Sequence, residues 1–414
     1  LKGKYFRLYG YCRFLTGANG GCIYNMKTNE MIHLDILNRD ILISALTHNN
    51  IDACHEQFFC ELAEKMIGTF YENPVYAETF HIGVEANTQR IIPNNTYVER
   101  AFIQITEDCN LNCVFCTAEN PVLRRCGCAR WGNKKKSINE LEWKTILSDL
   151  VSLNCRELVF TGGNPLLDLS TLEGIINLGK SLGMTDFAVQ GNIYGIKESE
   201  IELMEKYGIK FRAQIFSLDN KSMYAITNIG IDCRNSLNEL IRLKKTGVNV
   251  ECFVVVSKYN EDNVTEMIHE LNSYGFTVYL DFIHNMPENN HYSKKFISDM
   301  YDRTLSFGLV TKESMSFFEK YNSNFFGQIS INLSGDITPD PLINDLVLGN
   351  VLDEGLSAVL TDKAYKRLVE MNKSQIPKCA NCSFRLNCPD NRAIEYSATG
   401  EIDGLIYCNV FRSI

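Results

Sequence analysis

Three things are missing from this sequence, and each absence removes a class of function. No apolar run approaches the roughly 20 residues that a membrane-spanning helix needs, so no membrane partner is expected. The opening stretch, LKGKYFRLYG, lacks the charged-then-apolar pattern of an export segment, from which a cytoplasmic location is expected. Positive charge is also short. Lys and Arg number 41 against 50 Asp and Glu, a formal net charge of −9 that argues against nucleic acid as a partner. LRR at 123–125 and KKK at 134–136 make one basic patch, which reads as a solvated loop.

What remains is an ordinary globular composition, 45% hydrophobic and 22% charged, in a chain of 414 residues that accommodates two or three domains. Cysteine is frequent. Sixteen of them in a reducing compartment point to metal rather than to disulfides.

Three stand together in CNLNCVFC, at Cys109, Cys113 and Cys116, with C-x3-C-x2-C spacing. Thiolates suit iron–sulfur clusters, and three ligands to a four-iron cube leave one iron open to another molecule. A structural zinc site fits less well, because zinc takes four ligands and neither His nor Cys follows before Cys126. The preceding stretch, AFIQIT, reads as a buried strand, which sets the three thiols in the loop at its C-terminal end, where sites of parallel-stranded barrels lie.

This loop resembles that of the radical SAM family, whose mark is the same spacing with an aromatic residue before the last cysteine, here Phe115. The resemblance implies that S-adenosylmethionine chelates the open iron of a 4Fe–4S cluster and is cleaved by one electron to a 5′-deoxyadenosyl radical.

The rest of the chain fits that frame. Residues 96–285 alternate strand and helix patterns: AFIQIT, ELVFT, DFAVQ, IKFRAQIF, VECFVVV and FTVYLDF, with helices expected near 139–153, 170–182, 198–207, 233–246 and 261–274. Six such units predict a parallel sheet, too few strands for a closed barrel; the resemblance implies a partial (β/α)6 barrel. TGGNP, at 161–165, is similar to the family's GGEP segment, so Gly162, Gly163 and Asn164 are expected at the amino group of S-adenosylmethionine, with Asn164 in place of glutamate. Asn192 falls where relatives carry a Thr-Asn-Gly run. Ser217 and Asp219 match a pattern facing the ribose and the substrate; Asn220, Ile226, Thr227 and Asn228 depart from it. Arg212, with Gln214 on the same strand face, and Asp281 point either into a substrate cavity or into salt bridges. Cys126 and Cys128 read as a hydrogen-atom donor, as ligands to a further cluster, or as loop cysteines.

Residues 1–95 predict a β-hairpin, helices around 38–47 (capped by Asn38) and 55–71, and a closing strand TFHIGV, an α+β unit like a winged helix. This layout resembles the precursor-recognition element of peptide-modifying radical SAM enzymes; an accessory or dimerisation domain is the alternative. Cys12, Cys22, Cys54 and Cys60 read as small buried hydrophobes. A helical bridge is expected over 286–326. Residues 327–414 carry Cys379, Cys382, Cys388 and Cys408, enough thiols for a second cluster, with a zinc knuckle as the alternative. This part resembles the SPASM domain. Its inner-cluster positions read Phe325 or Phe326, Asp340 and Arg392 here, so one auxiliary 4Fe–4S cluster is expected, with Asp340 on a surface turn.

Together these resemblances imply a radical SAM enzyme that takes hydrogen from a ribosomally made precursor peptide and installs a thioether or carbon–carbon crosslink. The N-terminal domain would bind the leader, and a flavodoxin or ferredoxin-type protein would supply electrons. The alternatives are a peptide epimerase, a sulfatase-type protein maturase, and a peptide-binding scaffold with reduced chemistry.

Overall fold

The structure, a computed structural model, describes residues 4–47, 49–75, 97–116, 138–283, 311–343, 345–388, 391–405 and 408. The expected strand TFHIGV, the basic patch, Cys126, Cys128 and the bridge over 286–310 lie outside the described residues.

The N-terminal unit holds β1 (Tyr5–Leu8), β2 (Cys12–Gly17), β3 (Gly20–Asn25), β4 (Glu30–Leu34), helices Ile36–Leu46 and Glu56–Glu64, and β5 (Gly68–Tyr71). Where the sequence predicted one hairpin there are two, because β2, β3 and β4 form an antiparallel three-stranded sheet. Asn25 makes the second turn by accepting the Lys27 N–H at 3.0 Å. β1 pairs apart from them, with β5. The first helix is capped by Asp35, not by Asn38: the Asp35 carboxylate accepts the Asn38 N–H at 2.7 Å. The second helix stops early, at a left-handed Met66 (φ 55°) that turns the chain into β5. Phe6, Leu42, Phe59, Leu62 and Ile67 form the core of the unit.

The central sheet follows the expected order. β6 (Val98–Thr106), β7 (Glu157–Gly162), β8 (Asp186–Asn192), β9 (Lys210–Ile215), β10 (Val250–Val256) and β11 (Thr277–Phe282) lie side by side and parallel. Helices Glu140–Ser152, Leu169–Ser181, Glu198–Tyr207, Cys233–Lys245 and Val264–Ser273 connect them. One further helix, Asn220–Thr227, has no counterpart in the sequence reading.

Alternation makes the two faces of this sheet chemically different. Ala101, Ile103, Leu158, Phe160, Val189, Phe211 and Val254 join the helices in the main apolar core. The opposite face reads Gln104 beside Thr161, Gln190 beside Arg212, Asn192 beside Gln214, and Asp281 beside Val255. Phe102, Val159 and Ala188 form a small apolar island on that inner face.

The sheet does not end with the barrel. After helix Lys312–Lys320, β12 (Gly327–Ile331) pairs parallel with β6, and β13 (Asp336–Thr338) and β14 (Gly349–Asn350) extend the sheet to nine strands. Helices Leu356–Thr361, Lys363–Glu370, Pro377–Ala380 and Arg392–Thr399 complete the C-terminal part.

Candidate functional site

The three-cysteine loop leaves the C-terminal end of β6, as its sequence implied. Its walls are backbone. A Cβ on Gly162 would stand 2.1 Å from the Thr106 carbonyl oxygen, and one on Gly163 2.2 Å from that of Asp108, so only glycine fits. The Gly163 N–H donates to the Thr106 carbonyl at 3.0 Å, and the Asn164 N–H to the Asp108 carbonyl at 2.7 Å. On the other side the Val114 N–H donates to the Ile226 carbonyl at 2.8 Å, which ties the loop to the end of helix Asn220–Thr227. Phe115 is fully buried against Phe216, with ring centroids 5.9 Å apart.

Asn110, inside the motif, joins three loops, and the sequence reading missed it. Its carbonyl oxygen accepts from the Asn164 carboxamide at 3.0 Å and from that of Asn192 at 2.9 Å, while its own NH2 donates to the Tyr194 carbonyl. Asn164 and Asn192 therefore meet each other through Asn110. The Asn164 oxygen takes the Leu166 N–H at 3.3 Å. Buried Tyr194 extends the network: its hydroxyl accepts the N–H of Phe216 and of Ser217 and donates to the Ser217 carbonyl, and burial raises its pKa above the ordinary tyrosine value. The Cys109 sulfur receives the Leu111 N–H at 3.4 Å and lies 4.0 Å from the Asn192 amide nitrogen. Such N–H groups favour a thiolate and tune a cluster, so the donor set fits iron and sulfide. A cubane places each thiolate at its own corner, and Cys109, Cys113 and Cys116 stand on one short loop.

The C-terminal thiols are buried or half-buried. Cys379 and Cys382 are buried on and just after helix Pro377–Ala380, with the Cys382 N–H donating to the Cys379 carbonyl at 3.0 Å. The Cys382 thiol is pushed up to about 11, first by burial and then by the electrostatic effect of Cys388 and Cys408. All described cysteines are free thiols, and Cys54 is exposed, contrary to the buried place expected for it.

Residues 103–299 match the Radical SAM superfamily, and residues 323–383 match an iron–sulfur cluster-binding domain named SPASM. The chain carries a radical SAM domain followed by a SPASM domain. Its radical SAM part takes S-adenosylmethionine with a 4Fe–4S cluster, and its SPASM part takes an auxiliary iron–sulfur cluster. Among solved structures, SuiB of Streptococcus suis bound to its precursor peptide SuiA is similar at 15% identity and a TM-score of 0.54, over 94% of this chain and 96% of that one. Native anSMEcpe with bound AdoMet is similar at 15% identity and 0.56, over 75% of this chain and 94% of that one. These likenesses show the fold. Among curated proteins, the GTP 3′,8-cyclase of Aquifex aeolicus is 24% identical over 178 residues, 42% of this chain and 53% of that protein. Molybdenum cofactor biosynthesis protein 1 of Dictyostelium discoideum is 26% identical over 217 residues, 51% of this chain and 32% of that protein. The chain thus spans at most about half the length of these two curated relatives.

Within the radical SAM domain the other expected residues divide by position. Asp219 caps helix Asn220–Thr227, accepting the Ser222 N–H at 2.7 Å, and the Ser217 hydroxyl bonds both the N–H and the carbonyl of Asp219. Both are thus held in a capping turn beyond β9, near the cysteine loop. Arg212 is not. Its guanidinium reaches Glu157 at 3.0 Å and Glu251 at 3.5 Å, residues at the starts of β7 and β10, so it belongs to an ion-pair group at the end of the strands away from the cysteines. Arg100 and Lys210 also bind Glu157. Burial opposes ionisation of Glu157, but Arg212, Arg100 and Lys210 outweigh it and hold the carboxyl below its usual range. Asp281 sits near the end of β11, on the inner face and at the cysteine end.

The places of a SPASM inner cluster hold other chemistry. Phe325 is fully buried, and Arg392, 1% exposed in its side chain, donates to the carbonyls of Ile402 and Gly404 and pairs with Glu395 at 3.7 Å. Asp340 is 7% exposed, not on a surface turn; Gln328 donates to its carboxylate at 2.7 Å and the Leu342 N–H does so at 2.8 Å.

Proposed function

We propose that this protein modifies a ribosomally made precursor peptide and that the product is a thioether or carbon–carbon crosslink. The likeness to SuiB carries this reading. Its 94% coverage leaves too little of the chain unmatched to omit residues 1–95, so the N-terminal unit has a counterpart in a protein crystallised with a precursor peptide.

Cys109, Cys113 and Cys116 would hold the radical cluster, with Asn110 fixing their loop. Gly162, Gly163, Asn164, Asn192, Ser217 and Asp219 border the space for S-adenosylmethionine. When bound, this pair supplies a 5′-deoxyadenosyl radical that takes a hydrogen atom from the substrate. The polar inner face, with Gln104, Thr161, Gln190, Gln214 and Asp281, suits a peptide backbone rich in donors and acceptors. Cys379, Cys382, Cys388 and Cys408 would hold the auxiliary cluster. The leader would add as a strand to β4, whose outer edge carries no strand among the described residues. A flavodoxin or ferredoxin-type protein would deliver electrons.

The test uses anaerobically reconstituted protein, S-adenosylmethionine, a reductant and the peptide encoded by a short neighbouring reading frame. The expected result is 5′-deoxyadenosine together with a peptide lighter by a pair of hydrogens. An unchanged mass with an inverted residue would identify an epimerase instead, and an untouched peptide with no 5′-deoxyadenosine would contradict the reading.

A further inference from the structure

Between the N-terminal sheet and the C-terminal thiols runs a seam to which the radical chemistry assigns no role. Leu15 of β2 with Cys22 and Tyr24 of β3 bury against Cys382, Phe384, Leu386 and Met315 as one apolar cluster. Polar contacts follow the same line. The Tyr24 hydroxyl donates to the Ser383 carbonyl at 2.9 Å, and the Ser383 N–H donates to the Asn19 carboxamide oxygen at 2.9 Å. The Ala18 N–H donates to the Asn381 carbonyl at 2.8 Å, and Arg385 to the Thr16 carbonyl at 3.1 Å. Gly17 lets the surfaces meet, since a Cβ there would stand 2.3 Å from the Ser383 nitrogen.

All four hydrogen bonds reach residues 381–385, the stretch that contains Cys382 and separates Cys379 from Cys388. Two buried donors in the seam, the Asn19 amide nitrogen and the Ser383 hydroxyl, have no hydrogen-bond partner among the described residues. A buried donor left without an acceptor costs about 1–3 kcal/mol. The sulfurs of a cluster held by the adjoining thiols are the acceptors the ligand set would provide.

We propose that the N-terminal three-stranded sheet is the outer wall of the auxiliary-cluster site, keeping water from it with Leu15, Cys22 and Tyr24 and donating a hydrogen bond toward it from Asn19. This rests on the reading that Cys379, Cys382, Cys388 and Cys408 hold that cluster. Solvent access and nearby charge set a cluster's potential. A four-thiolate cluster gains negative charge on reduction, so water admitted beside it favours the reduced form and a new carboxylate disfavours it.

The experiment is an EPR-monitored redox titration of the full, reconstituted chain as wild type, Tyr24→Ala and Asn19→Asp, with the rate of iron loss to a chelator. Tyr24→Ala is expected to move the auxiliary midpoint to less negative potential and to speed iron loss about tenfold. Asn19→Asp keeps the acceptor for the Ser383 N–H and the apolar packing, and is expected to move the same midpoint to more negative potential. The radical cluster's midpoint stays put in both. Auxiliary midpoints unmoved in both variants would overturn the wall. Cys382→Ala separates the two ways of failing. Loss of about four irons there, with the sheet variants silent, refutes the wall alone; unchanged iron content refutes the ligand reading beneath it.

Discussion

Asn110 sits between two candidate iron ligands and takes hydrogen bonds from the loop after β7 and from the last residue of β8 while giving one to Tyr194. A side chain in that position sets the path of the whole cysteine loop. The thiols themselves were legible in the sequence because Cys109, Cys113 and Cys116 are neighbours on one short segment. Asn110 was not, since its partners Asn164, Asn192 and Tyr194 come together only when the sheet forms. Asp340 was misread for the same reason: a Pro-Asp-Pro stretch suggests a surface turn, yet β12 brings Gln328 against it. Burial pushes the Asp340 carboxyl up to about 6, although the Leu342 N–H and Gln328 pull it down. A carboxyl that binds its proton more tightly when folded favours the fold most below its unfolded pKa, and that advantage disappears as pH rises through about 6. Asp340→Asn should therefore gain stability over wild type as pH rises from 4 to 7, by on the order of 1–3 kcal/mol in urea denaturation. A constant difference across that range would contradict the account.

At the scale of elements, the six barrel strands were readable because each is a short apolar or alternating run, and their parallel order follows from the helices between them. Pairings between distant segments were not. β1 joins β5, and β12 joins β6, through edges whose partners no local pattern names. Helix Asn220–Thr227 escaped because it is short and begins with polar residues, although its cap, Asp219, stood in a motif. The strand starts carry their own device, the carboxylate of Glu157 among Arg212, Arg100 and Lys210. Glu157→Gln would leave the buried Arg212 with only the longer contact to Glu251, and should cost about 3 kcal/mol of stability. Because this group lies at the end of the strands away from the cysteines, 5′-deoxyadenosine formation per folded enzyme should be retained. Loss of that activity with unchanged stability would place Glu157 and Arg212 in the chemistry after all.

Across the whole molecule, three parts that read as separate in sequence share continuous structure. The nine-stranded sheet runs from the radical SAM strands into the C-terminal part, and the N-terminal sheet seats on the loop that carries Cys382. Among the described residues no helix is long and apolar enough to cross a membrane. One chain would then hold two clusters on separate cysteine sets, one of them supporting cleavage of S-adenosylmethionine. Iron and sulfide analysis with EPR tests it most directly, on anaerobically reconstituted wild type beside a variant with Cys109, Cys113 and Cys116 all replaced by alanine. About eight irons are expected in wild type and about four in the variant, with 5′-deoxyadenosine formed by wild type alone. Equal iron in the two proteins, or 5′-deoxyadenosine from the variant, would contradict it.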